Sequence, residues 1–284
     1  MTDNKGLVSV IMPVYNGMPM IQASIASLLE QTYLNWECVI VNDGSTDSTR
    51  DYLASLTDAR FVVHHFDKNR GRPQARQKGL ECARGEFIAM LDADDIYHPE
   101  KLAVQVEVMN RHPEVYLVGA GMCSYGSNVD FIRIRNKGDG AVRLFDIKDS
   151  FPSAHAPSLL RREHAVKFSY DFNLMLGQDI DYLRRYLNGK FYTNVPRVLY
   201  YYSEFDSTTK KKIRSVYKMY AKKFFKTGEY VNSIKHVAKL IYSYVVYPFL
   251  SLNDILKKRG AEPTNHEAKE FQEYCNPKIM RLKG

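Results

Sequence analysis

Val8-Ser-Val-Ile-Met-Pro-Val14, then Met20 to Leu29, then Trp36-Glu-Cys-Val-Ile-Val-Asn42 decide the fold. Two short apolar runs rich in β-branched residues enclose a stretch with helical spacing, which is the strand-helix-strand rhythm of a mostly parallel sheet. The rhythm continues with a helix from about Ser48 to Ser55, a strand Arg60 to His64, a helix Gln74 to Cys82 and a strand Phe87 to Leu91. In such sheets ligands lie beyond the carboxyl ends of the strands, so the segments just after Val14, Asn42 and Leu91 are where chemistry is expected.

From Tyr116 to about Tyr202 the pattern turns mixed, with short strands at Tyr116 to Val118 and Phe131 to Arg135 and helices near Arg162 and Ile180. Between Lys210 and Lys226 eight Lys or Arg and no acid surround Ile213, Tyr217, Tyr220 and Phe224, the spacing of a basic amphipathic helix. The expected organisation is a half over 1–110 that binds the main ligand, a second half over 111–206, and a helical C-terminal extension over 207–284.

The 284 residues are 45 % apolar and 25 % charged, enough to bury a core and outside the composition of disordered chains. Cys38, Cys82, Cys123 and Cys275 form no C-x-x-C pair, which argues against a zinc site or a redox motif and fits a reducing, cytoplasmic setting. The run Val8 to Val14 is too short and too interrupted by Pro13 to be a signal peptide or a membrane span. A net charge of +8 favours an anionic partner without choosing among nucleic acid, an acidic membrane surface and a phosphorylated small molecule.

Three acidic clusters fall at strand ends or a helix start. Asn42-Asp43-Gly44-Ser45-Thr46-Asp47 follows a strand; it suits a turn with a helix cap, and equally a carboxylate that accepts a hydrogen bond from a base. In Leu91-Asp92-Ala93-Asp94-Asp95 the period of two puts Asp92 and Asp94 on one side, a pair suited to a hard cation such as Mn²⁺ or Mg²⁺ that shares phosphate ligands, or else to an acidic turn before a helix started by Pro99. Gly177-Gln178-Asp179-Ile180-Asp181 opens a helix, where an acid is also favoured by the helix dipole alone. Between the first two clusters, Arg70, Arg72, Arg76 and Lys78 surround a glycine turn, suited either to clamping phosphate or to a solvated basic face.

Taken in order, V-S-V-I-M-P-V-Y-N-G (Val8 to Gly17), V-N-D-G-S-T-D (Val41 to Asp47), N-R-G-R-P-Q-A-R (Asn69 to Arg76), L-D-A-D-D (Leu91 to Asp95) and G-Q-D-I-D (Gly177 to Asp181) resemble the family 2 inverting glycosyltransferases over residues 7 to 202. The resemblance implies a GT-A fold, with a Rossmann-like sheet flanked by helices, and a nucleotide-diphosphate sugar donor, most often a UDP sugar. It implies inversion at the anomeric carbon and a saccharide or lipid-linked saccharide acceptor, as in cell-surface polysaccharide or glycoconjugate synthesis. Pro13 and Tyr15 would line the base pocket, Asp43 would bond the base, and Arg76 would lie near the diphosphate. Asp92 would approach the ribose or donor sugar, and Asp94 would hold the metal. Asp179 becomes the base, with Gln178 in place of the usual Glu and Asp181 as second choice. Tyr202-Ser-Glu-Phe-Asp-Ser-Thr208 supplies neither the Arg nor the His common near the end of the domain.

Other classes fit less well. A phosphohydrolase of the haloacid-dehalogenase type needs a nucleophilic aspartate at position 41, which is Val41, and no G-x-G-x-x-G follows the first strand for a dinucleotide enzyme. The remaining alternative is a catalytically degenerate transferase-like module that binds an anionic membrane surface or nucleic acid through the basic arm. No nucleic-acid module is recognisable, so nucleic acid is not an expected partner. The arm, followed by the apolar run Leu240 to Leu250, is expected either to pack on the core or to touch an anionic membrane, at the inner face of the cell membrane. His155, His164 and Arg161 are candidates for an acceptor cleft.

Overall fold

The structure, a computed structural model, describes residues 5–126, 132–149, 151–174, 176–204, 209–226, 228, 230–258 and 260–282. The strands are β1 (Val8–Val14), β2 (Trp36–Asn42), β3 (Phe61–His65), β4 (Phe87–Met90), β5 (Ile96–Tyr97), β6 (Val115–Tyr125), β7 (Ile132–Arg135), β8 (Arg143–Leu144), β9 (Leu159–Arg161) and β10 (Phe191–Ser203). Helices α1 (Met20–Leu29), α2 (Thr49–Ala54), α3 (Arg72–Cys82), α4 (Lys101–Arg111), α5 (Arg162–Ala165) and α6 (Gln178–Leu187) alternate with them, and α7 (Lys210–Lys226) and α8 (Tyr230–Val245) follow.

The sheet runs in the order β3-β2-β1-β4-β9-β6-β10-β5. β3-β2-β1-β4 is parallel, as the early rhythm requires, while β4 pairs with β9, β9 with β6, and β10 with β5 antiparallel. The sheet is therefore mixed, parallel in the half read from crossover helices and antiparallel in the half where the sequence pattern weakens. Chain direction across the sheet reverses between β1 and β4, because β1, β2 and β3 step one way and β4 is added on the other side of β1. That switch point opens a crevice at the carboxyl ends of β1, β2 and β4.

Alternation along β1 supplies both faces of the core. Val8, Val10, Met12 and Val14 pack with Ile21, Ile25 and Leu28 of α1, spaced for one helix face, while Ile11 points to the other side with Leu80 and Ile88. Gly79 lets α3 approach the sheet, since a Cβ there would meet the Ile11 side chain at 2.4 Å. Pro13 sits in a strand with neighbours on both sides, yet β4 pairing ends at Ile11↔Met90, so its missing N–H removes no ladder bond on that side.

The chain forms two compact units, one of Met1–Cys123, Asn136–Tyr202 and Thr264–Gly284 and one of Ser124–Arg135 and Ser203–Pro263. The first contains the crevice. In the second, α7 and α8 form a helical hairpin, with α7 spanning the residues where a basic amphipathic helix is expected. Residue 131 of the expected strand and residues 205–208 of the segment lacking the family's Arg and His lie outside the described residues.

Candidate active site

The loops after β1 and β2 are stitched together by side-chain hydrogen bonds. Asn16 N–H donates to Ser45 Oγ at 2.9 Å, Thr46 N–H to Asn16 Oδ1 at 2.8 Å and Gly17 N–H to Thr49 Oγ1 at 2.9 Å. These bonds explain the Asn, Ser and Thr content of both motifs: short polar side chains satisfy loop backbone that has no ladder partner. Gly44 turns the chain at φ +69°, where a Cβ would lie 2.4 Å from the Lys68 carbonyl carbon.

Asp43 is buried, and its carboxylate accepts the Arg70 N–H at 2.7 Å and the Gly71 N–H at 2.9 Å. It thereby fixes the loop that leads into α3. The result is an open pocket of about 510 Å³ lined by Pro13, Tyr15, Asp43, Arg70, Arg72 and Phe172, among others, within the size range of small-ligand sites. Tyr15 is 48 % exposed. Arg70 and Arg72 are exposed, with the Arg70 guanidinium 4.5 Å over the Phe66 ring.

Arg76, one turn into α3, behaves differently from its neighbours. It is 3 % exposed, and its Nη2 lies 3.0 Å from Asp92 Oδ1. Burial works against its charge, but the carboxylates of Asp92 and then Asp179, with Tyr170, hold its pKa above the ordinary value. For Asp92, burial also opposes ionisation; Arg76 first and Arg72 next outweigh it and lower its pKa to about 2. The solvated basic face therefore describes Arg70 and Arg72 but not Arg76.

His155 and Tyr170 complete this buried cluster, joined by a 2.9 Å bond between Tyr170 Oη and His155 Nε2 whose donor depends on the tautomer. Burial, helped by Arg76 and opposed by Asp179 and Asp92, lowers the His155 pKa to about 3, so the ring is neutral. Tyr170 stacks on Tyr182 of α6 with ring centroids 4.3 Å apart, and burial raises its pKa. Of the three acceptor-cleft candidates, only His155 belongs here. Arg161 is spent on the carbonyls of Val115, Met109 and His112, and His164 contacts the Tyr186 carbonyl at 2.9 Å. Tyr170 and Phe172 had no signal in the sequence, lying in a segment without motif or clear periodicity.

The acidic turn after β4 divides its three carboxylates. Asp92 faces Arg76, and Asp95 accepts the Tyr200 hydroxyl at 2.6 Å while its carbonyl accepts Ser24 Oγ at 2.6 Å. Asp94 is half-buried. At the start of α6, Asp179 Oδ1 accepts the Ile180 N–H at 2.9 Å, whereas Asp181 pairs with Arg185 at 2.9 Å. Among the described residues no group of three or more His, Cys, Asp or Glu could hold a metal ion. Arg76 Nε, His155 Nδ1 and Gln178 Oε1 are among the buried side-chain polar atoms without a hydrogen-bond partner, a state in which each would gain from a polar ligand.

The family model for glycosyl transferase family 2 matches residues 9–168, more than half of the chain. The chain belongs to that family. It is 44 % identical over 111 residues to a putative teichuronic acid biosynthesis glycosyltransferase, TuaG, of Bacillus subtilis (38 % of this chain, 44 % of that one). It is 41 % identical over 113 residues to the UDP-Glc:α-D-GlcNAc-diphosphoundecaprenol β-1,3-glucosyltransferase WfgD of Escherichia coli (40 % of this chain, 45 % of that one). The matched stretch spans under half the length of each of these relatives. Staphylococcus aureus TarS 1–349 in complex with UDP superposes with a TM-score of 0.62 at 18 % identity, covering 97 % of this chain and 82 % of that one. The mannosyltransferase PcManGT of Pyrobaculum calidifontis, in complex with GDP-Man and Mn²⁺, gives 0.60 at 20 % identity over 85 % of this chain and 71 % of that one. At these identities the likeness establishes the fold, which is GT-A.

Proposed function

We propose that this chain is an inverting glycosyltransferase that moves a sugar from a nucleotide diphosphate, a UDP sugar by preference, to an acceptor hydroxyl in the synthesis of a cell-surface polysaccharide or glycoconjugate. The observation that carries the reading is the buried Arg76, on which Asp92 and Asp179 both act, one residue beyond Ala75 in the wall of the 510 Å³ pocket. TarS in complex with UDP-GlcNAc and PcManGT in complex with GDP-Man, alike in fold to this chain, hold donors of this kind.

In this reading Pro13 and Tyr15 flank the base, Asp43 meets it with the lone pairs its two backbone donors leave over, and Arg70 and Arg72 face the diphosphate. Arg76 holds Asp92 ionised and oriented toward the ribose or donor sugar. The donor atoms near Asp94 suit Mn²⁺ or Mg²⁺: one hard oxygen ligand, with diphosphate and water completing the shell, is how such ions are commonly held. Bound there, the ion supplies positive charge to offset that of the departing diphosphate. Sugar hydroxyls supply the partners that Arg76 Nε, His155 Nδ1 and Gln178 Oε1 lack.

Asp179 accepts the proton of the acceptor hydroxyl as its oxygen forms a bond to the anomeric carbon. The bond from that carbon to the diphosphate oxygen breaks, and the nucleotide leaves with the electron pair. One displacement from the opposite face inverts the centre. The acceptor belongs to the saccharide or lipid-linked saccharide class, the class named for WfgD.

A thermal-shift titration with UDP, GDP, CDP and UDP sugars, with and without Mn²⁺, tests this on the parent chain and Asp94→Ala. Ligand at a hundred times its Kd stabilises by about 2.7 kcal/mol. A metal-dependent shift with one nucleotide, lost in Asp94→Ala, is expected; no shift with any nucleotide refutes the proposal.

A further inference from the structure

Helix α8 packs in the reverse of the usual sense. Its buried residues are Ser233 and Ser243. Ser233 Oγ donates to the Ala221 carbonyl of α7 at 2.8 Å, and Arg214 of α7 donates to the Ser243 carbonyl at 2.8 Å. His236 of α8 lies between these contacts, with its ring 5.4 Å from that of Tyr220 and 5.3 Å from that of Phe224, so the hairpin is closed through Ser233, His236 and the Ser243 carbonyl and the aliphatic side of α8 is turned outward. Val231, Ile234, Ile241 and Val245 lie on one face, with Ile234 67 % and Ile241 59 % exposed. Tyr242 and Tyr244 widen this strip to roughly half the helix circumference, and Phe249, just beyond the helix, is 86 % exposed. Soluble helices do the opposite, and an apolar patch of this breadth marks a surface that something covers.

Charge selects what covers it. From Thr209 to Asn253 the sequence has ten Lys or Arg and one acid, Glu229, and the exposed Lys235 and Lys239 follow one edge of the apolar strip. A second copy of the chain laid against this face brings lysines against lysines with almost no acid to pair them, and the strip is wider than the two-position seam of paired helices. A lipid surface with anionic head groups matches both features. Apolar residues enter the acyl boundary, tyrosines lie at the head-group level, and lysines reach phosphates. Among the described residues no helix is long and apolar enough to cross a membrane, so the contact is lateral.

We infer that the outward face of α8 is a docking surface for an anionic lipid bilayer. The contact lies on α8, which includes the start of the apolar run Leu240 to Leu250 that follows the basic arm in the sequence. This inference stands apart from the transfer reaction, since it uses none of the site residues.

The test is co-sedimentation of the full chain with vesicles of phosphatidylcholine alone and of equal parts phosphatidylcholine and phosphatidylglycerol, at low and high salt. The parent chain is expected to bind the anionic vesicles and to be released by salt. Ile234→Asp with Ile241→Asp, and separately Lys235→Gln with Lys239→Gln, are expected to weaken binding about tenfold or more. All four positions are exposed, so an unchanged melting curve accompanies that loss. Absence of binding to anionic vesicles, or binding unaltered in both variants, overturns the inference. So does a stable dimer of the parent chain that Ile234→Asp with Ile241→Asp dissolves, which assigns the face to a second copy.

Discussion

Arg76 and Asp92 form a largely buried ion pair at 3.0 Å, joining α3, one turn past its start, to the acidic turn after β4. The Arg76 side chain is 4 % and the Asp92 side chain 14 % exposed, so removing either partner leaves the other charge poorly compensated.

Replacing Arg76 by Met leaves Asp92 with its largest stabilising partner removed. A loss of about 3–5 kcal/mol is expected from breaking a buried pair, with most of it recovered in Arg76→Met combined with Asp92→Leu. Urea unfolding of the three chains measures it; a single variant as stable as the parent contradicts the pairing.

Asp179 and Asp181 sit two residues apart on α6 but in different company, the first acting on the buried Arg76 cluster and the second paired with Arg185. Asp179→Asn is therefore expected to lower transfer by about 10²–10⁴-fold while nucleotide binding stays near the parent value. Asp181→Asn should change the rate far less. Equal loss of transfer in both, or loss of nucleotide binding in Asp179→Asn, removes Asp179 from the role of base.

Lys101 offers a pH test. Its ammonium group is fully buried, bonds Gln105 Oε1 at 2.7 Å and lies 4.3 Å over the Tyr97 ring. Burial lowers its pKa to about 7. The unfolded chain binds the proton below about pH 10.4 and the folded chain only below about 7, so this lysine makes the fold progressively less stable as pH falls through that window. Lys101→Met lacks the effect, and between pH 10 and pH 7 its stability relative to the parent should rise by about 3 kcal/mol. Parallel pH profiles for the two chains refute the assignment.

Gly44 holds the turn that sets Asp43 against the Arg70 and Gly71 amides. An alanine there must adopt φ +69° and displace the Lys68 backbone. Gly44→Ala is expected to cost about 1–3 kcal/mol and to weaken nucleotide binding together with stability. Unchanged binding in calorimetry would show that the pocket does not depend on this turn.

Much of the architecture was legible in the order of the residues. The strands Val8–Val14 and Trp36–Asn42 and the helix Met20–Leu29 fall where the sequence predicts them, because the period of a strand or helix is a short-range property. The acidic clusters were readable for a related reason: a polar run ending an apolar strand must emerge at the sheet edge. The sequence by itself thus determined the parallel half, the strand ends beyond which a ligand is expected, and the positions of Asp43, Asp92, Asp94 and Asp179 along the chain.

Burial and pairing are set by residues far away in sequence, and these only the tertiary structure decided. Arg76 differs from Arg70 and Arg72 because the chain brings Asp92 and the α6 acid to it, which no local pattern encodes. His155, His164 and Arg161 were equivalent as candidates until the Tyr186 carbonyl of α6 took His164, carbonyls of α4 and β6 took Arg161, and His155 was left beside Tyr170. The antiparallel half emerged because β9 and β10 return from long connections whose direction periodicity does not specify. The outward apolar face of α8 has the same origin: its spacing announces a face to be covered, but only the packing of Ser233 and Ser243 against α7 shows that the rest of the hairpin leaves it open.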